Sequence, residues 1–391
     1  MDKQRINSLD GLRAFAIIFV LFSHSSQKLT TPLSFSIYGI DFQNIIYNGW
    51  AGVELFFVLS GFLITTQLLR QPLNYSTVKK YLCKRYFRIA PAYYVAVCMV
   101  LITSHILEDL INKPFWDIVS TWWLPLLSHF AFLHDYIGRH PSIDGLFWSI
   151  PVEIKFYIII PAFIYLLTKI KSNAYRMYCV LGFYVLSSII KISYIYTQYG
   201  TDLIPYGDYF FYIKSPFHMA LDGLIIGTLC AFAFKTQYIK SMQENTKLSN
   251  LIFYTGGAIF LAFAISPHFV NDMASLIERM MIPPLLAISF GLILIGAITN
   301  SCASRFLSSG ILHFIAKISY CLYLTHIYAL FLQIGIIKRL HLYIESPTYC
   351  WLLSLPIYFI TAVCIAYLLH IYVEKPCLDW SRRKWPHSKK M

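Results

Sequence analysis

Residues 9–26 read LDGLRAFAIIFVLFSHSS. The apolar run Ala14–Phe22 is bracketed by Arg13 and His24, with Ser23 at the polar margin. With its flanks the stretch is long enough to cross a hydrocarbon core of ~30 Å. It has no small-residue cleavage pattern and carries two ionisable residues, so it reads as a retained membrane helix rather than a secretory signal. A charge within a span costs ~2.5–3.5 kcal/mol, which makes each such residue a candidate for function. Eleven residues at 1.5 Å rise cover about 16 Å, and eleven steps of 100° fall within about 20° of three turns. Arg13 and His24 therefore share one helix face, one near each end. Two readings remain open: a snorkelling Arg with a His bonded to a neighbouring helix, or two stations of one site.

The rest of the chain resembles this segment. Its 391 residues are 57% hydrophobic and 17% aromatic, with a mean hydropathy of +0.58. Only 13% are charged, against roughly 25% in soluble domains. Apolar runs recur near 9–26, 49–69, 91–107, 149–168, 176–196, 216–234, 250–269, 281–299, 311–334 and 350–372. The fold class expected is an all-α polytopic membrane protein of about ten helices in one bundle. Domain boundaries follow: one transmembrane domain over 1–376 and a short basic tail, 377–391, with no further domain expected after it. The segment 115–134, with adjacent Trp122 and Trp123 and interrupted by Pro125, is expected to be interfacial or re-entrant on the outer side.

The net charge of +13 is not a nucleic-acid footprint. Lys and Arg crowd the two termini and the loops 70–90, 169–176, 235–247 and 300–317, whereas acidic residues lean to the opposite side. The positive-inside rule puts both termini in the cytoplasm, and the basic groups contact lipid headgroups. The nine cysteines are scattered, with no Cys-x-x-Cys pair, which argues against a disulfide framework or a metal site.

Further polar groups lie at matching depths. Arg85 and Arg88, at i and i+3 before Pro91, share a face and suit a phosphate; decoration of a cytosolic loop is the plainer reading. Glu54 sits in GWAGVELFFVLSGFLI, followed by the small pair Ser60–Gly61, which permits close helix packing. Trp148, Ser149 and Glu153 open another span, with Lys155 expected to pair with a carboxylate such as Glu153. His24, Glu54 and Glu153 are expected near one level, where a carboxylate would fix the imidazole tautomer. Asp222 is either a core carboxylate bonded across helices or a second orienting group. Ser319, Tyr320, Tyr323 and His326 form a polar stripe, read either as a hydrogen-bonded helix contact or as part of a site.

Together these motifs resemble the acyltransferase-3 family of bacterial membrane O-acyltransferases. The resemblance rests on Arg13 with ten residues before His24, on GVELFFVLSGFLI, and on Arg85-x-x-Arg88 before Pro91. It extends through FWSIPVEIKFYIIIP, ISYCLYLTH and YVEKP around Glu374, in order along nearly the whole chain. Three positions depart from the family pattern: Glu54 where Asp is common, Leu146 where His often stands, and EIK at 153–155 in place of Glu-Glu-Gln.

The resemblance implies a protein of the bacterial inner membrane that takes acetyl from cytosolic acetyl-CoA and delivers it to a hydroxyl of an envelope glycan, with lipopolysaccharide O-antigen the acceptor expected. It makes His24 the catalytic base, with Glu54 and Glu153 in support. Arg13, Arg85 and Arg88 would hold the donor's phosphates, about a pantetheine arm from His24. Trp148, Ser149, Asp222, Tyr323 and His326 are the residues expected around the acceptor. No metal is expected. A transporter of lipid-linked sugar is the rival, disfavoured by the lack of inverted repeats.

Overall fold

A computed structural model describes residues 6–27, 33–34, 36–38, 40–103, 112–137, 145, 147–200, 206–266 and 276–386. It is helical apart from a two-residue antiparallel ladder joining Ser36–Ile37 to Ile40–Asp41. The long helices are α1 (Asn7–Gln27), α2 (Gly52–Leu68), α3 (Tyr75–Leu101), α4 (Phe115–Phe130), α5 (Ser149–Thr168) and α6 (Asn173–Tyr199). They continue with α7 (Asp222–Ala233), α8 (Thr246–Ala264), α9 (Leu276–Ile298), α10 (Gly310–Leu340), α11 (Pro347–Leu369) and α12 (Lys375–Lys384). Among the described residues, eight helical stretches are long and apolar enough to cross a membrane. With every backbone hydrogen bond closed within its own segment, a helix is the form such runs take in lipid.

Two of the ten expected spans differ in form. The run at 91–107 begins within α3, as residues 91–101, and the first half of that helix carries Lys79, Lys80, Lys84, Arg85 and Arg88. Pro91 does not start a helix there, because the chain is already helical from the Asn74–Thr77 capping box onward. The run at 216–234 yields only α7, of 12 residues, preceded by a π-helical turn, Tyr209–Lys214. Pro216 has no N–H to continue a helix from that turn, and irregular backbone at this depth persists because protein buries it.

Helix α1 is central, packing on α2, α9 and α10. Helices α2 and α7 approach closely: a Cβ on Gly61 would collide with the Leu224 carbonyl, and one on Gly227 with that of Val58. The small-residue contact expected at Ser60–Gly61 is present. Helices α6, α8 and α11 carry an outward apolar skin, including Leu186, Ile189, Leu251, Leu353 and Ile360, as lipid contact requires.

Helix α4 is 16 residues long with Pro125 inside it, and it is not among the eight candidate spans. Trp116 and Trp123 are exposed while Trp122 is buried. The C-terminal tail is not a separate coil over its described part. The chain runs from α11 through a wide turn, His370–Glu374, directly into α12. Residues 387–391, like Leu146, lie outside the described residues.

Candidate active site

Two cavities meet inside the bundle. The first, of about 760 Å³, is lined by Arg13 from α1, Ser60 from α2, Arg85 and Arg88 from α3, Glu153 and Tyr157 from α5, and Ser319, Tyr320 and Tyr323 from α10. The second, of about 840 Å³, is lined by His24, Trp50, Trp148, Phe210, Lys214 and again Tyr323. Val53 and Tyr323 belong to both walls. The face shared by Arg13 and His24 thus fronts two chambers separated by a thin septum.

In the first chamber three guanidiniums face one lining carboxylate. Glu153 accepts hydrogen bonds from Ser60 Oγ at 2.5 Å and from the Tyr157 hydroxyl. Arg85 donates to Gln67 Oε1, and its guanidinium lies 5.5 Å from the Tyr157 ring and 5.7 Å from that of Tyr81. Aromatic faces and a neutral amide hold Arg85 without cancelling its charge, which leaves the chamber with an excess of fixed positive charge suited to an anion.

At the septum Ser149 Oγ and the Tyr323 hydroxyl share a hydrogen bond of 2.8 Å. One turn further along α10, His326 Nε2 lies 2.6 Å from His24 Nδ1, the rings nearly parallel at 21°. The proton positions follow from the neighbours. His326 Nδ1 faces the carbonyl oxygens of Tyr323 at 2.8 Å and Leu322 at 3.2 Å. Carbonyls only accept, so His326 Nδ1 carries the hydrogen and, in the neutral ring, Nε2 is an acceptor. His24 Nδ1 then donates to it, and His24 Nε2 holds the lone pair, the tautomer a general base needs.

Several expected residues stand elsewhere. Among the described residues, the side chain within hydrogen-bond distance of His24 is His326. Glu153 belongs to the arginine chamber. Glu54 is buried and feels chiefly the charges of Lys214, Asp222 and Lys191; it lines neither chamber. Asp222 forms a buried ion pair with Lys191 across α6 and α7, the core-carboxylate alternative, and lines neither chamber. Lys155 pairs with Asp135 in the turn after α4, not with Glu153. The i, i+3 spacing of Arg85 and Arg88 does bring both into one chamber. Trp148 lines the second chamber and Ser149 the first.

Sequence reasoning passed over Lys214 and Trp50. Lys214 Nζ sits 3.4 Å from the centroid of Trp50 and 5.4 Å from that of Trp148. A lysine ending the aromatic run YFFYIK was the available signal. A separate set, Cys321, His370 and Glu374, keeps its ligand-type atoms within 4.8 Å of one another. Glu374 accepts from the Cys321 thiol at 3.2 Å and pairs with His370 Nδ1 at 2.7 Å, so this set ties α10 to the turn after α11.

Residues 6–371 match the acyltransferase domain. The chain is 30% identical over 347 residues to the peptidoglycan O-acetyltransferase OatA of Listeria monocytogenes, covering 83% of this chain and 49% of that protein. It is 28% identical over 382 residues to YrhL of Bacillus subtilis, a putative peptidoglycan O-acetyltransferase, covering 91% and 54%. A putative O-acetyltransferase of Staphylococcus aureus is 23% identical over 381 residues, covering 91% and 55%. The chain spans about half the length of these relatives. No solved structure matches it. A match over nearly its whole length, resting on the same helices that wall the two chambers, means that this polytopic membrane chain belongs to the acyltransferase-3 family.

Proposed function

We propose that the protein is a membrane O-acetyltransferase that moves acetyl from acetyl-CoA, entering from the cytosol, to a hydroxyl of an envelope polysaccharide on the other side. One observation carries this reading: a chamber of three arginines and a chamber holding an oriented imidazole share the wall formed by Val53 and Tyr323. The donor's phosphates meet Arg13, Arg85 and Arg88, and its thioester reaches the septum. The imidazole is about 16 Å along α1 from Arg13, the scale of a pantetheine arm.

His24 Nε2 takes the proton of the acceptor hydroxyl as that oxygen attacks the thioester carbonyl. The C–O bond forms, the C–S bond breaks, and the imidazolium returns its proton to the departing thiolate. The hydroxyls of Ser149 and Tyr323, paired at the septum, are the donors this reading assigns to the carbonyl oxygen as it gathers charge. The role of His326 is positioning: it holds the His24 tautomer.

The basic loops on the side of the termini support a cytosolic origin for the donor. Peptidoglycan is the acceptor named for two relatives and is the first acceptor to test, with lipopolysaccharide O-antigen the second arm. The assay is transfer of label from acetyl-CoA to each glycan by the purified protein. Labelled ester that disappears in His24→Ala supports the reading. Vesicle uptake of lipid-linked sugar that needs no CoA and survives His24→Ala refutes it.

A further inference from the structure

Lys214 brings a buried amino group to the second chamber. It is 8% exposed, with Trp50 and Trp148 against it at the distances given above. Among the described residues its Nζ forms no ion pair or hydrogen bond, whereas the other buried lysine, Lys191, is closed by Asp222. Glu54 is the acidic group whose field acts on Lys214, but it does not line the chamber, and Lys214 does. Glu54 thus acts on Lys214 without lining the chamber, and among the described residues no side chain or carbonyl takes a hydrogen bond from the Lys214 amino group. Aromatic faces stabilise an ammonium without saturating its hydrogen-bonding capacity, and a buried charge left in that state suits an anionic ligand.

We propose that Lys214 is an anion-binding group for the acceptor, so that the glycan unit entering this chamber carries a carboxylate or a phosphate. Its acidic group sits on Lys214, its sugar ring lies against Trp50 and Trp148, and a hydroxyl on the same ring faces His24. Naming the occupant as acceptor rests on the acetyl-transfer reading; the anion site does not.

The test is sugar binding to the purified full chain in an uncharged detergent, followed by tryptophan fluorescence. The probes are N-acetylmuramic acid and glucuronic acid against their methyl esters, and glucose 6-phosphate against glucose. The expected result is that at least one acidic sugar binds roughly tenfold or more tightly than its neutral counterpart, a difference of about 1.4 kcal/mol. The preference is lost in Lys214→Met and largely kept in Lys214→Arg, and the carboxylate and phosphate arms show which acid is taken. Retained acetyl-CoA binding by Lys214→Met reports an intact fold. If that variant does not fold, the acid-versus-neutral comparison in the unaltered protein and in Lys214→Arg still decides. Equal binding of acidic and neutral sugars overturns the proposal, as does an unchanged preference in a folded Lys214→Met. So does displacement by phosphatidylglycerol where no sugar binds. An acidic sugar that binds but is never acetylated leaves the anion site standing and removes the acetyl-transfer reading.

Discussion

His24 illustrates what a single residue's neighbours decide. Its position one helix face from Arg13 was legible from spacing alone, since three turns of a helix return a side chain to the same direction. Its partner was not, because His326 is 302 residues away and no local pattern encodes a contact across the bundle. A carboxylate was the chemical expectation; a neutral histidine held by the Tyr323 and Leu322 carbonyls performs the same orientation without adding charge. His24→Ala is expected to lower the transfer rate by about 10²–10⁴-fold, the range for a lost general base. His326→Ala should lower kcat with little change in the KM for acetyl-CoA, and His326→Gln, which keeps an acceptor oxygen, should recover part of it. Equal losses in both His326 variants would mean that position 326 acts only through packing.

Pairs of helices carry the next level of specification. The expectation of close packing at Gly61 was sound, because absence of a side chain is itself the signal. The counterpart glycines on α7, Gly223 and Gly227, stand at the Gly-x-x-x-Gly spacing of close helix packing, but only the structure shows that they face Gly61's helix. Gly61→Leu forces a side chain into the Leu224 backbone and should cost about 1–3 kcal/mol by overpacking, read as a lower unfolding temperature in detergent. The Lys191–Asp222 pair joins α6 to α7 with side chains 6% and 4% exposed. Removing either partner alone leaves a buried charge and should cost about 3–5 kcal/mol, whereas the double variant Lys191→Met, Asp222→Leu should cost less than either single change. Thermal unfolding of the three variants checks that order; additive losses would contradict it. Asp222 is visible in the sequence as an intramembrane charge, and so is Lys191 inside the run 176–196, but their pairing shows only once α6 and α7 are packed together.

The bundle as a whole follows from the distribution of apolar runs and basic loops, which needs no contact information. What composition does not convey is where helices shorten: α7 stops at 12 residues because Pro216 and the turn at Tyr209–Lys214 interrupt a run that is apolar enough to continue. That interruption places Lys214 in the second chamber, so the departure from regular helix is also the departure that builds the site. Charge distribution predicts both termini in the cytoplasm, and a cytoplasm-active reporter fused at the C-terminus should be functional there; activity of a periplasm-dependent reporter instead would invert the bundle. Arg13→Gln, Arg85→Gln and Arg88→Gln should each raise the KM for acetyl-CoA more than that for a pantetheine thioester lacking the nucleotide, since a lost charge-assisted bond of ~1.5–3 kcal/mol falls on the phosphates. The most direct measurement uses proteoliposomes in which the protein is oriented with its termini inward. Labelled acetyl-CoA is sealed inside and glycan is supplied only outside. Labelled ester on the external glycan, absent with His24→Ala, is the result expected; ester formed only when donor and glycan share a compartment, or formed undiminished by the His24 variant, would contradict transfer through the septum between the two chambers.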